Sequence, residues 1–203
     1  MNERPTTAPG STREASDHYP FKEIEATWRE KWDDLELFRQ DLSDSDNKFY
    51  CLNMYPYPSG DLHVGHGRNY LLGDTLARYS FMQGKKVLAV MGWDAFGLPA
   101  ENAAIENNTH PETWTKANIE KMKRQFHQWG VGFDWDREIS SCDPGYYKWT
   151  QWIFLKLFER GLAYRDKAPV NWCPSCNTTL ANEQVVRAGV CDRCDTPVER
   201  REL

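Results

Sequence analysis

The stretch Pro56-Tyr57-Pro58-Ser59-Gly60-Asp61-Leu62-His63-Val64-Gly65-His66 places two histidines and several backbone-permissive residues between an apparent strand and an apparent helix. Such a junction is where a nucleotide would bind. The preceding run, Lys48-Phe49-Tyr50-Cys51-Leu52-Asn53-Met54, is short and aromatic and reads as a buried strand. From about Gly67 the pattern turns helical: Leu72, Leu76 and Tyr79 recur at i, i+4 and i+7, and Gly84 stands where a left-handed cap would end the helix. A second apolar strand, Val87 to Met91, follows directly. Strand, loop, helix and strand predict a βαβ unit. Its crossover is right-handed, and its ligands gather outside the carboxyl ends of the strands.

A helix N-terminus binds anions readily, because its first amides lack internal partners and the helix dipole is positive there. His63 and His66 fall at that end, and Gly60, Gly65 and Gly67 withhold side chains that would keep a phosphate off the backbone. Imidazoles can donate to phosphoryl oxygens whose charge grows in a transition state. A lone loop histidine more often satisfies a backbone group. A pair spaced H-x-G-H between strand and helix points instead to phosphate work.

These residues resemble the HIGH signature of class I aminoacyl-tRNA synthetases. The Pro56 to Gly60 prefix, with GWDAFGLPAEN over residues 92–102, resembles the leucine branch of that family. The likeness continues through NWCPSC (171–176) and LANEQV (180–185), so it covers the chain from about Tyr19 to Leu203. It implies an α/β fold, the first half of a Rossmann-like parallel-sheet catalytic domain. The implied activity is ATP-dependent activation of leucine to leucyl-adenylate, followed by transfer to tRNA-Leu. Residues Pro56 through His66 would form the ATP-binding stretch, with His63 and His66 catalytic and Mg2+ neutralising phosphate charge. Met54, the backbone of Tyr55, Tyr57 and Asp94 would hold leucine, with Asp94 pairing the α-ammonium. Without the resemblance, Asp94 reads as a cap for the following segment, and Met54 and Tyr57 as ordinary core. The implied partners are leucine, ATP and tRNA-Leu, with no membrane, and the expected state is a monomer.

Cys173-Pro-Ser-Cys176 and Cys191-Asp-Arg-Cys194 are two C-x-x-C knuckles, spaced much as in zinc ribbons. Four thiolates suit tetrahedral Zn2+ in a closed site, whose role is folding energy and not catalysis. A redox pair or disulfides are the rival readings. Cys51 lies in the first strand and reads as a small buried hydrophobe. Cys142 is assigned no function.

A chain of 203 residues can bury about 70% of its unfolded surface. No apolar run approaches a membrane span, and the N-terminus lacks a secretory core. Glu3, Glu14 and Asp17 also argue against an organellar presequence. Zinc-binding thiols then imply a reducing, cytoplasmic location. The net charge of −5 does not advertise a nucleic-acid surface, so tRNA rests on the resemblance. Residues 1–18 are expected to be a disordered tail. Residues 19–45 are expected to form a helix docked through Ile24, Trp28, Trp32 and Leu35. The catalytic half-domain should span 46–166 and a zinc-ribbon-like module 167–203. Within the former, helices are predicted over 100–108, over 113–129 to a stop at Gly130, and from Asp143-Pro144 to Gly161. Trp149, Trp152, Ile153, Leu157 and Phe158 form the apolar stripe of the last helix, and its tryptophans read as core.

The family's lysine signature, K-M-S-K-S, has no counterpart here, so the chain reads as an N-terminal portion of an enzyme. Two other classes remain open. A small nucleotidyltransferase could use the histidine loop, but would not need the GWDAFG segment or the knuckles. A noncatalytic zinc-bearing tRNA-binding or regulatory module could keep both.

Overall fold

The computed structural model describes residues 19–41, 43, 46–186 and 189–202. The tail expected over 1–18 lies outside them. The chain divides into two compact units, one ending at Tyr147 and the other beginning at Lys148. That division falls within a helix, α5 (Pro144–Glu159), which buries none of its own residues.

The first unit is built on β1 (Lys48–Leu52), α2 (Val64–Met82) and β2 (Lys86–Val90), preceded by α1 (Phe21–Asp34). β1 and β2 pair in parallel, with Lys48 opposite Lys86 and Leu52 opposite Val90. A helix joining two parallel neighbours completes the expected βαβ unit. At the end of α2, Gly84 takes a φ of +78°, and the Lys85 amide reaches back to the Ser80 carbonyl at 3.1 Å. This stop turns the chain into β2. Beyond β2, β3 (Gly92–Trp93) pairs in parallel with β4 (Ile139–Ser140). Between them run α3 (Leu98–Glu106) and α4 (Pro111–Trp129), the latter ended by Gly130 in the left-handed region.

One core fills the space among these elements. It joins Cys51, Tyr70, Val87, Ala89, Met91, Trp93, Met122, Phe126 and Phe133. Phe126 of α4 sits at its centre, edge-on to Tyr70 at 4.9 Å and to Phe133 at 5.8 Å, the arrangement aromatic quadrupoles favour. Cys51 is buried within it, as expected of a small hydrophobe.

Several faces differ from their sequence reading. In α2 the buried residues are Gly67, Tyr70, Ala77 and Ser80, whereas Leu72, Leu76 and Tyr79 are exposed. This helix is apolar on nearly every side, so spacing alone could not select its inner face; the bulk of Tyr70 against Phe126 does. β1 is not buried throughout. Cys51 points inward while Tyr50 and Leu52 stand exposed on the other face. α1 meets the body through Arg29, which donates to the Gln128 carbonyl at 3.1 Å, and through Trp32 beneath the Arg78 guanidinium. Trp28 and Leu35 stay exposed. Trp149 and Trp152 of α5 are also not core: each is more than half exposed, at 60% and 52%.

The second unit carries a three-stranded antiparallel sheet, β6 (Thr178–Leu180), β5 (Pro169–Cys173) and β9 (Glu199–Glu202), with β5 central. A short hairpin, β7 (Val185–Val186) and β8 (Val190–Cys191), lies between β6 and β9 in sequence. Among the described residues of this unit, the buried core is Cys173, Leu180 and Cys191. So few apolar residues rarely hold a fold alone, and small modules of this kind are commonly stapled by a metal. Among the described residues no helix is long and apolar enough to cross a membrane.

Candidate functional site

The histidine pair begins α2 itself. His63 is its N-cap in extended conformation, and its Nδ1 accepts the Gly65 amide at 3.1 Å. His66 Nδ1 in turn accepts the His63 amide at 3.2 Å. This is a capping box in which two imidazoles do what Ser and Glu usually do. It starts the helix at Val64, three residues before the hydrophobic pattern indicates. With both Nδ1 atoms accepting, each neutral ring carries its proton on Nε2. Neither Nε2 has a partner among the described residues. The rings lie 3.9 Å apart between centroids. Burial, then the neighbouring His63, hold His66 below the usual histidine range, so the neutral donor persists near pH 7.

The glycines serve the turn more than a ligand. A Cβ on Gly65 would lie 2.9 Å from His63 Cε1, so glycine lets the His63 ring close on its own turn. Gly67 is buried against Trp129, and only Gly60 borders open space. Asp61 directs its carboxylate to α4, where it pairs with Lys121 at 2.7 Å. The hydrogen bond from Lys121 holds its carboxyl below the usual carboxylate range, with a smaller contribution from Gln125.

Asp94 follows β3 and arrives beside this turn. Its amide donates to the Pro56 carbonyl at 3.0 Å, which fixes the Asp94 segment to the residues leading into the histidines. The half-buried carboxylate has no hydrogen-bond or ion-pair partner among the described residues. It does not cap α3, which begins at Gly97 without a side-chain cap. Below it, Ser141 receives the Ala95 amide at 2.8 Å and donates its own amide to the Trp93 carbonyl at 3.0 Å. The Tyr55 ring lies flat on Gly92, where a Cβ would come within 2.3 Å of it.

These residues border a cleft of about 580 Å³ lined by Leu52, Met54, Tyr55, Asp94, Ser141 and Tyr146, among others. Met54, Tyr55 and Asp94 are thereby brought together, whereas Tyr57 is exposed outside the lining. Asn53, Ser141 and Tyr146 escaped the sequence reading. Asn53 Nδ2 is buried without a partner among the described residues. β4, which delivers Ser141, is two residues long and carries no alternation to detect. Chemically, the cleft offers apolar walls and a carboxylate that has no partner among the described residues, and the start of α2 separately offers two imidazole N–H donors.

The four knuckle cysteines converge in the second unit. Their sulfurs all lie within 4.8 Å of one another; Cys194 Sγ is 3.4 Å from Cys173 Sγ and 3.5 Å from Cys176 Sγ. All four are free thiols, with Cys173 and Cys191 buried. For Zn–S bonds of about 2.3 Å, tetrahedral sulfurs stand about 3.8 Å apart, so this cluster fits a metal ion. The Cys176 amide also donates to Cys173 Sγ at 3.3 Å, a contact that stabilises thiolate. The Thr196 hydroxyl holds the Cys194 thiol down at about 6, whereas Cys194 pushes Cys176 up to about 12.

Residues 27–190 match the family model described as tRNA synthetases class I (I, L, M and V). The chain is 56% identical over 187 residues to the leucine–tRNA ligase of Shewanella sediminis, covering 92% of this chain and 22% of that protein. It is 56% identical over 182 residues to the leucine–tRNA ligase subunit alpha of Aquifex aeolicus, covering 90% and 28%. The chain therefore spans between about a fifth and a third of these relatives' length. Among solved structures, the Agrobacterium radiobacter LeuRS in ternary complex with tRNA and LeuAMS superposes with a TM-score of 0.82 at 46% identity, over 91% of this chain and 24% of that one. Mycobacterium tuberculosis methionyl-tRNA synthetase with methionyl-adenylate gives a TM-score of 0.62 at 21% identity over 77% of this chain and 31% of that one, a likeness of fold.

Proposed function

This chain belongs to the class I tRNA synthetases of the isoleucine, leucine, methionine and valine group, and from that membership we propose that it carries the activation site of a leucine–tRNA ligase. The β1–α2–β2 unit is read as the first half of a Rossmann-like sheet. The observation that carries the proposal is the hydrogen bond from the Asp94 amide to the Pro56 carbonyl. It ties the segment of a carboxylate that has no partner among the described residues to the stretch leading into the two histidines, as an amino acid and a triphosphate that must react would require. The relatives named leucine–tRNA ligase, and the LeuRS neighbour bound to tRNA and LeuAMS, support the choice of leucine, ATP and tRNA.

In this reading Asp94 takes the α-ammonium of leucine, and Met54 with the Tyr55 backbone borders its apolar side chain. Tyr57 would approach from the rim. One carboxylate oxygen of leucine attacks the α-phosphorus of ATP. The new P–O bond forms as the bond from that phosphorus to the bridging oxygen breaks, and pyrophosphate leaves. His63 and His66 donate Nε2–H to phosphate oxygens as their charge grows, which lowers the barrier without a protein nucleophile. A ribose hydroxyl at the tRNA terminus then accepts the leucyl group and AMP departs. Magnesium bound with the triphosphate would neutralise part of its charge beside His63 and His66. Cys173, Cys176, Cys191 and Cys194 would hold one structural zinc. Such thiols suit a reducing cytoplasm.

Leucine-dependent exchange of pyrophosphate into ATP by the intact natural polypeptide tests the reading. Exchange that requires leucine, with charging of tRNA-Leu, is expected. Binding of tRNA without any exchange would favour a noncatalytic module.

A further inference from the structure

Gln125 lies on α4, a helix that supplies none of the residues assigned to substrate. Its Oε1 accepts the Leu62 amide at 3.0 Å, and its Nε2 donates to Asp61 Oδ1 at 2.9 Å. Leu62 directly precedes His63, the N-cap of α2. Lys121, one turn earlier on α4, holds the same Asp61 carboxylate at 2.7 Å. Met122 and Phe126, which flank this pair on α4, are fully buried in the core. The approach to the histidine turn is therefore pinned, through two consecutive residues, to a rigid part of the molecule. A primary amide suits this position because it accepts from an N–H with one atom while donating to a carboxylate with another. Glutamate offers only acceptors there, and methionine offers no donor.

We propose that Gln125 is a positioning residue for the activation reaction: by clamping Leu62 and Asp61 it sets the orientation in which His63 and His66 present their Nε2 donors. This rests on the reading of the histidine turn as the triphosphate site. Gln125 touches neither substrate. Losing the clamp lets the turn shift while the capping box stays closed, so the donors miss the phosphate oxygens in the transition state and leucine binding is spared.

The test is leucine-dependent ATP–pyrophosphate exchange by the intact polypeptide. Gln125→Glu keeps an acceptor for the Leu62 amide but sets a second negative charge against Asp61. Its exchange kcat should fall roughly ten- to a hundredfold, the worth of a hydrogen bond to a charged group, with leucine KM within about twofold of wild type. Adding Asp61→Asn restores a donor opposite the new carboxylate, and should recover part of that loss. An unchanged kcat in Gln125→Glu overturns the proposal. So does a loss that Asp61→Asn does not recover, or one in which leucine KM rises in proportion. If Gln125→Glu does not fold, Gln125→Met takes its place: reduced kcat with leucine KM retained supports the clamp, and unchanged kcat overturns it. Absence of exchange in the wild type would instead remove the functional reading itself, and this proposal with it.

Discussion

The Tyr70 hydroxyl donates to the Met54 carbonyl at 2.7 Å, so a core residue of α2 reaches the residue that leads β1 into the substrate cleft. The same ring stacks on His66 at 6.1 Å. Burial pushes the phenol up to about 12, so it remains a donor throughout the working pH range. One side chain thus ties the amino-acid cleft to the histidine turn. Tyr70→Phe keeps the packing and removes only the hydrogen bond. It should cost about 1 kcal/mol of stability in urea unfolding and raise leucine KM severalfold while leaving ATP KM unchanged. A variant that loses stability with no change in leucine KM would make this bond purely architectural.

Asp94→Asn keeps size and removes charge. If the carboxylate neutralises the substrate ammonium, leucine affinity should fall by about 2–5 kcal/mol, the range for losing one partner of a desolvated charge pair. ATP affinity should hold. Calorimetric titration of leucine into the intact variant decides between this and a structural role, in which leucine binds normally and the protein melts earlier.

Replacing Cys176 or Cys194 with Ser should release about one equivalent of zinc and lose the protection of β5, β6 and β9 against amide exchange, with β1 and β2 still protected. Metal analysis of freshly reduced wild-type protein checks the premise, since a protein purified without zinc or another thiophilic metal would contradict it.

His66 gives a pH dependence with a definite sign. Its folded value lies below the ordinary histidine value of about 6.5, so between the two the unfolded chain binds more protons than the folded one. The contribution is fully present above about pH 6.5 and is lost as pH falls through the lower, folded value. Protonation at Nδ1 also ends its acceptance of the His63 amide. His66→Asn can accept that amide without titrating, so its urea midpoint should change less than that of wild type between pH 7 and 5. Parallel curves would show that His66 does not titrate in that window.

Chemistry-bearing features were legible where they depend on short local spacing. H-x-G-H, the two C-x-x-C knuckles and the stops at Gly84 and Gly130 each encode one turn, and each turn stands where the spacing put it. Faces were less legible. α2 carries Leu72, Leu76 and Tyr79 at helical spacing, yet tertiary packing selects Tyr70 for the interior because Phe126 and Phe133, more than fifty residues later, offer it ring edges. The need for glycine at position 92 was hidden for the same reason, since the ring that presses on it belongs to Tyr55. Gln125 could not be found by motif at all. Its role is defined by two partners more than sixty residues away in sequence, and nothing in its own surroundings on α4 marks it.

In the proposed reaction His63 and His66 act on phosphate charge and not on leucine. The measurement that tests it most directly is the steady-state rate of leucine-dependent ATP–pyrophosphate exchange in the intact polypeptide, for wild type and His66→Asn side by side. His66→Asn can still accept the His63 amide but lacks the imidazole Nε2–H donor. In His66→Asn, kcat should fall by roughly a hundred- to a thousandfold, the cost of removing a donor to transition-state charge, with leucine KM changed by no more than about twofold. An unchanged kcat accompanied by weaker leucine binding would contradict it.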